Sequence, residues 1–265
     1  MSADARPALS VVLPAYNSAR YVGASVDRLR RTFASLPGGL EVVVVDDGSS
    51  DGTADAVAED TGVRVLRHAA NRGKGAAVRT GMRSARGEVR AFTDADLPYG
   101  TDPMYLALRY VRDRGFHAVI GDRTLPGSSY ADAGLLRAAV SQVASLTFRT
   151  LITGGIYDTQ CGFKAFRGDV ADGLFAVATI DGFAMDVELI YLLLKYRLDI
   201  KRVPVRLERN ETSSVRVIRD SARAARDILR MRVRWARGGY RSAALERVLA
   251  EDVARDALPQ GATGA

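Results

Sequence analysis

Glu41-Val42-Val43-Val44-Val45-Asp46-Asp47-Gly48-Ser49-Ser50-Asp51-Gly52 is the stretch that decides the fold. Consecutive valines between Gly38-Gly39 and an Asp-Gly turn read as a central strand buried on both faces, as strands of a parallel sheet are. Where the run turns acidic and glycine-rich, the chain leaves the core. In open α/β sheets that carboxyl-end rim is where ligands bind. The same transition recurs on either side. Leu9-Ser10-Val11-Val12-Leu13 runs into Pro14-Ala15-Tyr16-Asn17, and strands over 63–66 and 88–93 lead to Asn71-Arg72-Gly73-Lys74-Gly75 and Asp94-Ala95-Asp96. Helical spacing over 20–34, 53–59, 75–85 and 102–114 separates these strands, so βαβ units build a mainly parallel sheet.

A fifth strand is expected over 118–121, and beyond Asp122 the pattern loosens. Helices are expected over 134–152, 185–196 and 216–241, a loop over 154–162, a short strand with Pro204 over 200–205, and a frayed tail over 259–265. No repeat, linker or second core is visible. The expectation is one α/β domain, mainly parallel sheet flanked by helices, over 8–212, with a basic amphipathic C-terminal helical extension over 213–258.

Composition narrows the class. Of 265 residues, 47% are hydrophobic and 26% charged, the balance of a globular protein with a sizeable core. The single Cys161 excludes an internal disulfide, fits a reducing compartment and is expected to be packed rather than reactive. No window reaches the roughly 18 apolar residues a spanning helix needs, so the expectation is a cytoplasmic protein, soluble or peripheral on the cytoplasmic membrane face. The net charge of +7 and pI of 9.7 arise in one place: 216–241 holds nine arginines and two aspartates. Arginines at 216, 219, 223, 226, 230, 234, 237 and 241 recur in steps of three or four and share a helical face. Ile218, Ala222, Ala225 and Leu229 run alongside, with Ile228, Met231 and Trp235 on an adjoining stripe. Such a helix suits an anionic membrane surface; the alternative is a solvated face whose apolar side packs on the domain. No recognition motif accompanies the charge, so nucleic acid is not an expected partner. A homo-oligomer is compatible with the sequence.

The chemistry concentrates in four polar clusters on one rim. In extended chain Asp94 and Asp96 point the same way, and two converging carboxylates call for a neutralising cation. Mg²⁺ or Mn²⁺ suits oxygen ligands and takes substrate phosphates as well. The structural alternative is an Asx turn before Pro98. Lys74, between two glycines, is placed to meet a phosphate, or else is a solvated helix start. There is no G-x-G-x-x-G, no complete P-loop and no G-x-S-x-G, and two histidines with one cysteine do not make a zinc site.

Pro14-Ala15-Tyr16-Asn17, Asp46-Asp47-Gly48-Ser49-x-Asp51, Asn71-x-Gly73-Lys74-Gly75 and Asp94-Ala95-Asp96-Leu97, in this order, resemble glycosyltransferase family 2, whose members have the GT-A fold. Asp158-Thr159-Gln160-Cys161-Gly162-Phe163-Lys164, Gly121-Asp122-Arg123, Arg137 and Phe183-x-x-Asp186-x-Glu188 are similar to the branch that glycosylates polyprenyl or dolichyl phosphate. The resemblance spans 9–230. It implies an inverting, metal-dependent hexosyltransferase using a nucleoside-diphosphate sugar, with UDP expected, and a polyprenyl-phosphate acceptor. Pro14, Ala15, Tyr16, Asn17, Asp46, Asp47, Lys74, Asp94 and Ala95 would bind the donor. Asp94 and Asp96 would hold the metal, with Asp96 catalytic. Arg123, Arg137, Gln160 and Lys164 would bind the acceptor phosphate, Arg being suited to bidentate phosphate contacts. The alternative is a soluble transferase acting on a hydroxyl of a small natural product or saccharide, for which Asp158 or Asp186 would be the catalytic proton acceptor. The chain departs from the family pattern at Ser18, usually acidic, at Pro98, where many relatives carry Gln, and at Asp122, usually Ser.

Overall fold

The computed structural model describes residues 6–128, 156, 158–208 and 217–256. Strands β1 (Leu9–Ala15), β2 (Leu40–Asp46), β3 (Val63–Arg67), β4 (Val89–Phe92), β5 (Ala118–Asp122), β6 (Lys164–Arg167) and β7 (Ile200–Pro204) form one sheet in the order β3-β2-β1-β4-β6-β5-β7. β1 to β4 pair in parallel, as do β5 and β7, while β6 runs antiparallel between β4 and β5. That reversal places the start of β6 on the rim where the other strands end, with Lys164 opposite Phe92 and Ile120.

Alternation along each strand feeds two cores, one per face. Val12, Val43, Val45, Phe92 and Phe166 point to one side. There they meet α2 (Lys74–Ser84), α4 (Gly168–Val177), α5 (Met185–Lys195), the inner faces of α6 (Val217–Ala236) and α7 (Ala243–Asp256), and Tyr240. Leu9, Val11, Leu13, Val42, Val44, Ala91, Val119 and Ala165 point to the other, against α1 (Val22–Thr32) and α3 (Asp102–Leu108), which continues as a π-helical turn over Arg109–Asp113. No helix among the described residues is long and apolar enough to cross a membrane.

Several elements differ from the sequence expectation. The stretch 53–59 is a set of turns, started by Asp55 and Ala56 amides bonding the Gly52 carbonyl, and forms no helix. The helix expected over 216–241 stops at Ala236. Gly238 (φ +72°) turns the chain, with its amide on Trp235 O and that of Gly239 on Arg234 O, a Schellman-type ending that puts Arg237 and Arg241 outside α6. β6 and α4 were not expected, whereas α7 lies inside the helical extension expected over 213–258. The helix expected over 134–152 lies outside the described residues.

Candidate active site

The loops after β1 and β2 fasten to each other. Asn17 (φ +50°) donates its amide to Ser49 Oγ at 2.9 Å and accepts from the Ser50 amide at 3.0 Å, while Asp51 accepts from Ala19 N and from Thr53 N, both at 3.0 Å. Asp46 Oδ1 accepts from Ser49 N at 2.9 Å, so this buried carboxylate closes the turn at the end of β2. Tyr16 and Asn17 are exposed at the lip, Pro14 is half-buried, and Ala15 is buried, its carbonyl bonding the Asp47 amide at 2.8 Å. Ala15 and Ala95 thus offer a ligand main chain only, their side chains being in the core.

Asp47, expected to contact the donor, instead builds the next loop. One oxygen meets His68 Nδ1 at 2.6 Å and the Arg72 amide at 3.0 Å, and the other the Gly73 amide at 2.8 Å. With three donors on it, this buried carboxylate ties the end of β2 to the 68–73 segment. The glycines around Lys74 serve the packing of the 180–181 backbone on α2. A Cβ at Gly73 or Gly75 would collide with the 180–181 backbone. Their absence of side chain lets Asp181 O cap α2 by accepting from Gly75 N (2.7 Å) and Ala76 N (3.2 Å), satisfying amides that a helix start leaves open. The segment 178–182 is held in turn by Glu188, fully buried, which accepts from Thr179 N at 3.0 Å, Ile180 N at 2.9 Å and the Tyr240 hydroxyl.

The Asp94–Asp96 segment is a turn, not the extended chain expected: Leu97 N bonds Asp94 O at 3.0 Å, and Leu97 sits at φ +50°. Left-handed backbone at a leucine costs on the order of 1–3 kcal/mol and is held here by burial of its side chain. Asp94 and Asp96 stay half-buried on either side of buried Ala95. Asp94 Oδ1 pairs with Lys74 Nζ, and Asp94 Oδ2 lies against Gly162, where any Cβ would collide with it. Burial works against the Lys74 charge, but Asp94, then Asp186, outweigh it and hold the ammonium above its ordinary range.

On the far side, Arg123 grips Asp158 with Nε to Oδ2 and Nη2 to Oδ1, both 2.7 Å, plus its own amide at 2.8 Å. Burial alone would raise the Asp158 carboxyl; Arg123 overrides it and holds that carboxyl below its usual range. Asp122 organises the same turn, accepting from Thr124 N at 2.8 Å and from Arg202 Nε at 2.6 Å, which gives its departure from the usual Ser a structural use. Lys164, expected at the acceptor phosphate, is instead enclosed. It donates to Thr159 O at 3.1 Å, Cys161 O at 3.0 Å and Asp186 Oδ1 at 2.5 Å, which uses all three protons. Asp158 and Asp186, expected as proton acceptors for a hydroxyl substrate, therefore each hold a cation. Burial pushes the Cys161 thiol up to about 11, so it is packed and protonated. Gln160 is exposed beside this cluster, and Arg137 lies outside the described residues.

Among the described residues no group of three or more His, Cys, Asp and Glu is placed to hold a metal. The chemistry of the site nonetheless fits a hard divalent ion that takes part of its shell from substrate: two half-buried carboxylates on one turn would supply oxygen ligands, and diphosphate and water complete such shells. Gly162, Asp181 and Glu188 escaped assignment to the site because their parts are steric or main-chain. A cue existed for Gly162, a glycine inside Cys161-Gly162-Phe163.

A mainly parallel mixed sheet flanked by helices is the architecture of GT-A glycosyltransferases. Solved members share it: mannosyl-3-phosphoglycerate synthase from Rubrobacter xylanophilus (TM-score 0.63, 20% identity, 88% of this chain and 74% of that one) and glucosyl-3-phosphoglycerate synthase from Mycobacterium tuberculosis in complex with Mn²⁺, UDP and glucosyl-3-phosphoglycerate (TM-score 0.61, 20% identity, 85% and 78%). The chain belongs to glycosyl transferase family 2, whose model matches residues 10–175. It is 34% identical to the dolichyl-phosphate beta-glucosyltransferase of Drosophila melanogaster over 90% of this chain and 78% of that protein, and 29% identical to that of Homo sapiens over 88% and 77%. The protein is a glycosyltransferase.

Proposed function

We propose that the protein transfers a hexose from a UDP-sugar to a polyprenyl phosphate with inversion at the anomeric carbon. Relatives named as dolichyl-phosphate beta-glucosyltransferases support the acceptor class. The observation that carries it is that Asp158 and Asp186 are both engaged by cations. A hydroxyl acceptor needs a base to take its proton, and a carboxylate clamped by arginine and held below its usual range is a poor one. A phosphate oxygen is already anionic near neutral pH and needs none.

In this reading Tyr16, Asn17, Asp46 and the main chain at Pro14, Ala15 and Ala95 hold the nucleoside, and Lys74 meets the diphosphate. Asp94 and Asp96 would hold Mg²⁺ or Mn²⁺, which when bound stabilises charge on the leaving diphosphate as a Lewis acid. Arg123, Arg137 and Gln160 orient the acceptor phosphate. Its oxygen attacks the anomeric carbon, and the sugar–phosphate bond breaks with its electron pair leaving on UDP.

α6 places the enzyme on an anionic bilayer, as a peripheral protein of the cytoplasmic membrane face. Ile228, Met231 and Trp235 dock on the core, whereas Leu229 (64% exposed) and Val233 (42%) face outward among exposed Arg226, Arg230, Arg232 and Arg234. Each arginine contributes roughly 1 kcal/mol near such a surface.

The test is transfer of labelled glucose from UDP-glucose to undecaprenyl phosphate with Mn²⁺. Label in the lipid phase as a β-glucosyl phosphate is expected; label only in free glucose or on a hydroxyl acceptor would refute the acceptor. Co-sedimentation with phosphatidylglycerol vesicles, lost at high salt and weakened by Arg226→Gln with Arg230→Gln, tests the membrane face. Equal binding to neutral vesicles refutes it.

A further inference from the structure

We propose that Lys74 is a gate on the metal carboxylates: it occupies Asp94 in the nucleotide-free protein and releases it when a nucleoside diphosphate takes over its ammonium, so that cation and nucleotide bind as a coupled pair. This rests on the reading of Asp94 and Asp96 as the cation's carboxylates.

Asp94 is closed from two directions. Lys74 Nζ lies on Oδ1, and the bare backbone of Gly162 lies against Oδ2. A divalent ion arriving alone has to share a carboxylate with an ammonium, and cations that close repel strongly at a half-buried site. The backbone cannot yield to relieve this. Gly73 N is tied to Asp47 Oδ2, and Gly75 N and Ala76 N are tied to Asp181 O, so the start of α2 is fixed at every residue around Lys74. The glycine wall is fixed too, because Gly162 lies in the segment whose Thr159 and Cys161 carbonyls are gripped by Lys164. Only the flexible four-carbon stem of Lys74 is left to move. A diphosphate at the rim offers that ammonium more negative charge than one carboxylate does. Once Nζ swings to it, Asp94 is freed at the moment the phosphate oxygens that complete the metal shell arrive. By linkage the effect is mutual: nucleotide tightens metal and metal tightens nucleotide by the same factor.

The experiment measures Mn²⁺ binding by electron paramagnetic resonance, with and without UDP, on the full chain. Wild type is expected to bind Mn²⁺ weakly alone and on the order of tenfold or more tighter with UDP. Lys74→Met should bind Mn²⁺ alone about tenfold tighter than wild type and lose most of the dependence on UDP. Lys74→Arg, which keeps a cation on Asp94, should restore weak binding. Arg79→Gln removes a cation on the same helix that bonds Asp181 and not Asp94, and should leave Mn²⁺ affinity unchanged. If Lys74→Met binds Mn²⁺ no tighter than wild type, or Arg79→Gln tightens it equally, the gate is refuted while the metal site stands. If neither wild type nor Lys74→Met binds Mn²⁺ even with UDP, the metal reading falls and the gate with it.

Discussion

Two lysine–aspartate pairs sit close together in this molecule and do opposite things. Lys164 and Asp186 are enclosed, with side-chain exposures of 0% and 4%, and the ammonium has three protein acceptors. Lys74 and Asp94 lie at the rim with 18% and 39%. The enclosed pair is a clamp: it fastens β6 to the 159–161 turn and to α5. The rim pair is part-exposed, and in the proposed gate a ligand competes for it. Residue type does not separate them. What separates them is the number of fixed partners and the access of solvent, which decide whether a charge pair serves folding or chemistry.

The largest effect should come from breaking the clamp. Lys164→Met leaves Asp186 charged and unpaired in the interior, which costs about 3–5 kcal/mol. Urea denaturation should show it, and Lys164→Met with Asp186→Leu should recover most of the loss, because an apolar pair replaces a buried ion pair at little net cost. A single-variant cost below about 1 kcal/mol would remove the distinction between the pairs. At the rim the expectation is reversed. Asp96→Ala should lower turnover on the order of a hundred- to a thousandfold, since Lewis-acid stabilisation is worth several kcal/mol, yet change stability by less than about 1 kcal/mol. Transfer at the wild-type rate in EDTA would refute the metal role.

The Arg123–Asp158 pair lies between these extremes, with the carboxylate buried and the guanidinium partly open. Arg123→Gln should cost about 1–2 kcal/mol at neutral pH, less than a closed pair would because solvent reaches the arginine. Its pH dependence has a definite sign. The folded Asp158 carboxyl is depressed, so its stabilisation is present above the unfolded value of about 4 and is lost as pH falls through the folded one. Wild type should therefore lose more stability than Arg123→Gln between about pH 4.5 and the acid limit. Parallel acid limbs for the two proteins would contradict the assignment.

The parallel half of the sheet was legible because the valine run 42–45 and the polar breaks after it carry both period and punctuation. β6 was not, because its first residue is a lysine and four residues give no period; the ammonium is buried only because three acceptors converge from elsewhere in the chain. α4, Gly168-Asp169-Val170-Ala171-Asp172-Gly173-Leu174-Phe175-Ala176-Val177, contains two glycines and two aspartates, which local propensity disfavours in a helix; packing of Val170, Leu174 and Phe175 overrides it. In the site, the sequence put Asp94 and Asp96 at the rim beyond β4, but neither the turn that carries them nor the Lys74 partner of Asp94 could be read from spacing. Asp47 and Lys164 look like ligand-binding residues in one dimension, and only the fold reveals the protein partners that each of them holds.

The smallest effect sharpens the comparison with a third kind of buried charge. Glu188 pairs with no cation among the described residues; it is satisfied by the Thr179 and Ile180 amides, the Thr179 hydroxyl at 3.0 Å and the Tyr240 hydroxyl. Tyr240→Phe removes one donor of four groups, so the loss should be near 1 kcal/mol, well below that of Lys164→Met, because the carboxylate keeps its main-chain donors. Burial and the neighbouring Glu188 both raise the Tyr240 hydroxyl above its ordinary range, so the phenol stays a donor through the alkaline range and the cost should not vary from pH 6 to 9. Glu188 also holds the 178–182 segment whose Asp181 carbonyl caps the helix carrying Lys74. If that segment is rigid on its amide bonds alone, Tyr240→Phe leaves the KM for UDP-glucose within about twofold of wild type, the cost staying on the stability side of the 1 kcal/mol. A larger rise in KM with unchanged stability would mean that Tyr240 tunes the Lys74 end of the site, and that this hydrogen-bonded charge belongs with the rim pair and not with the clamp.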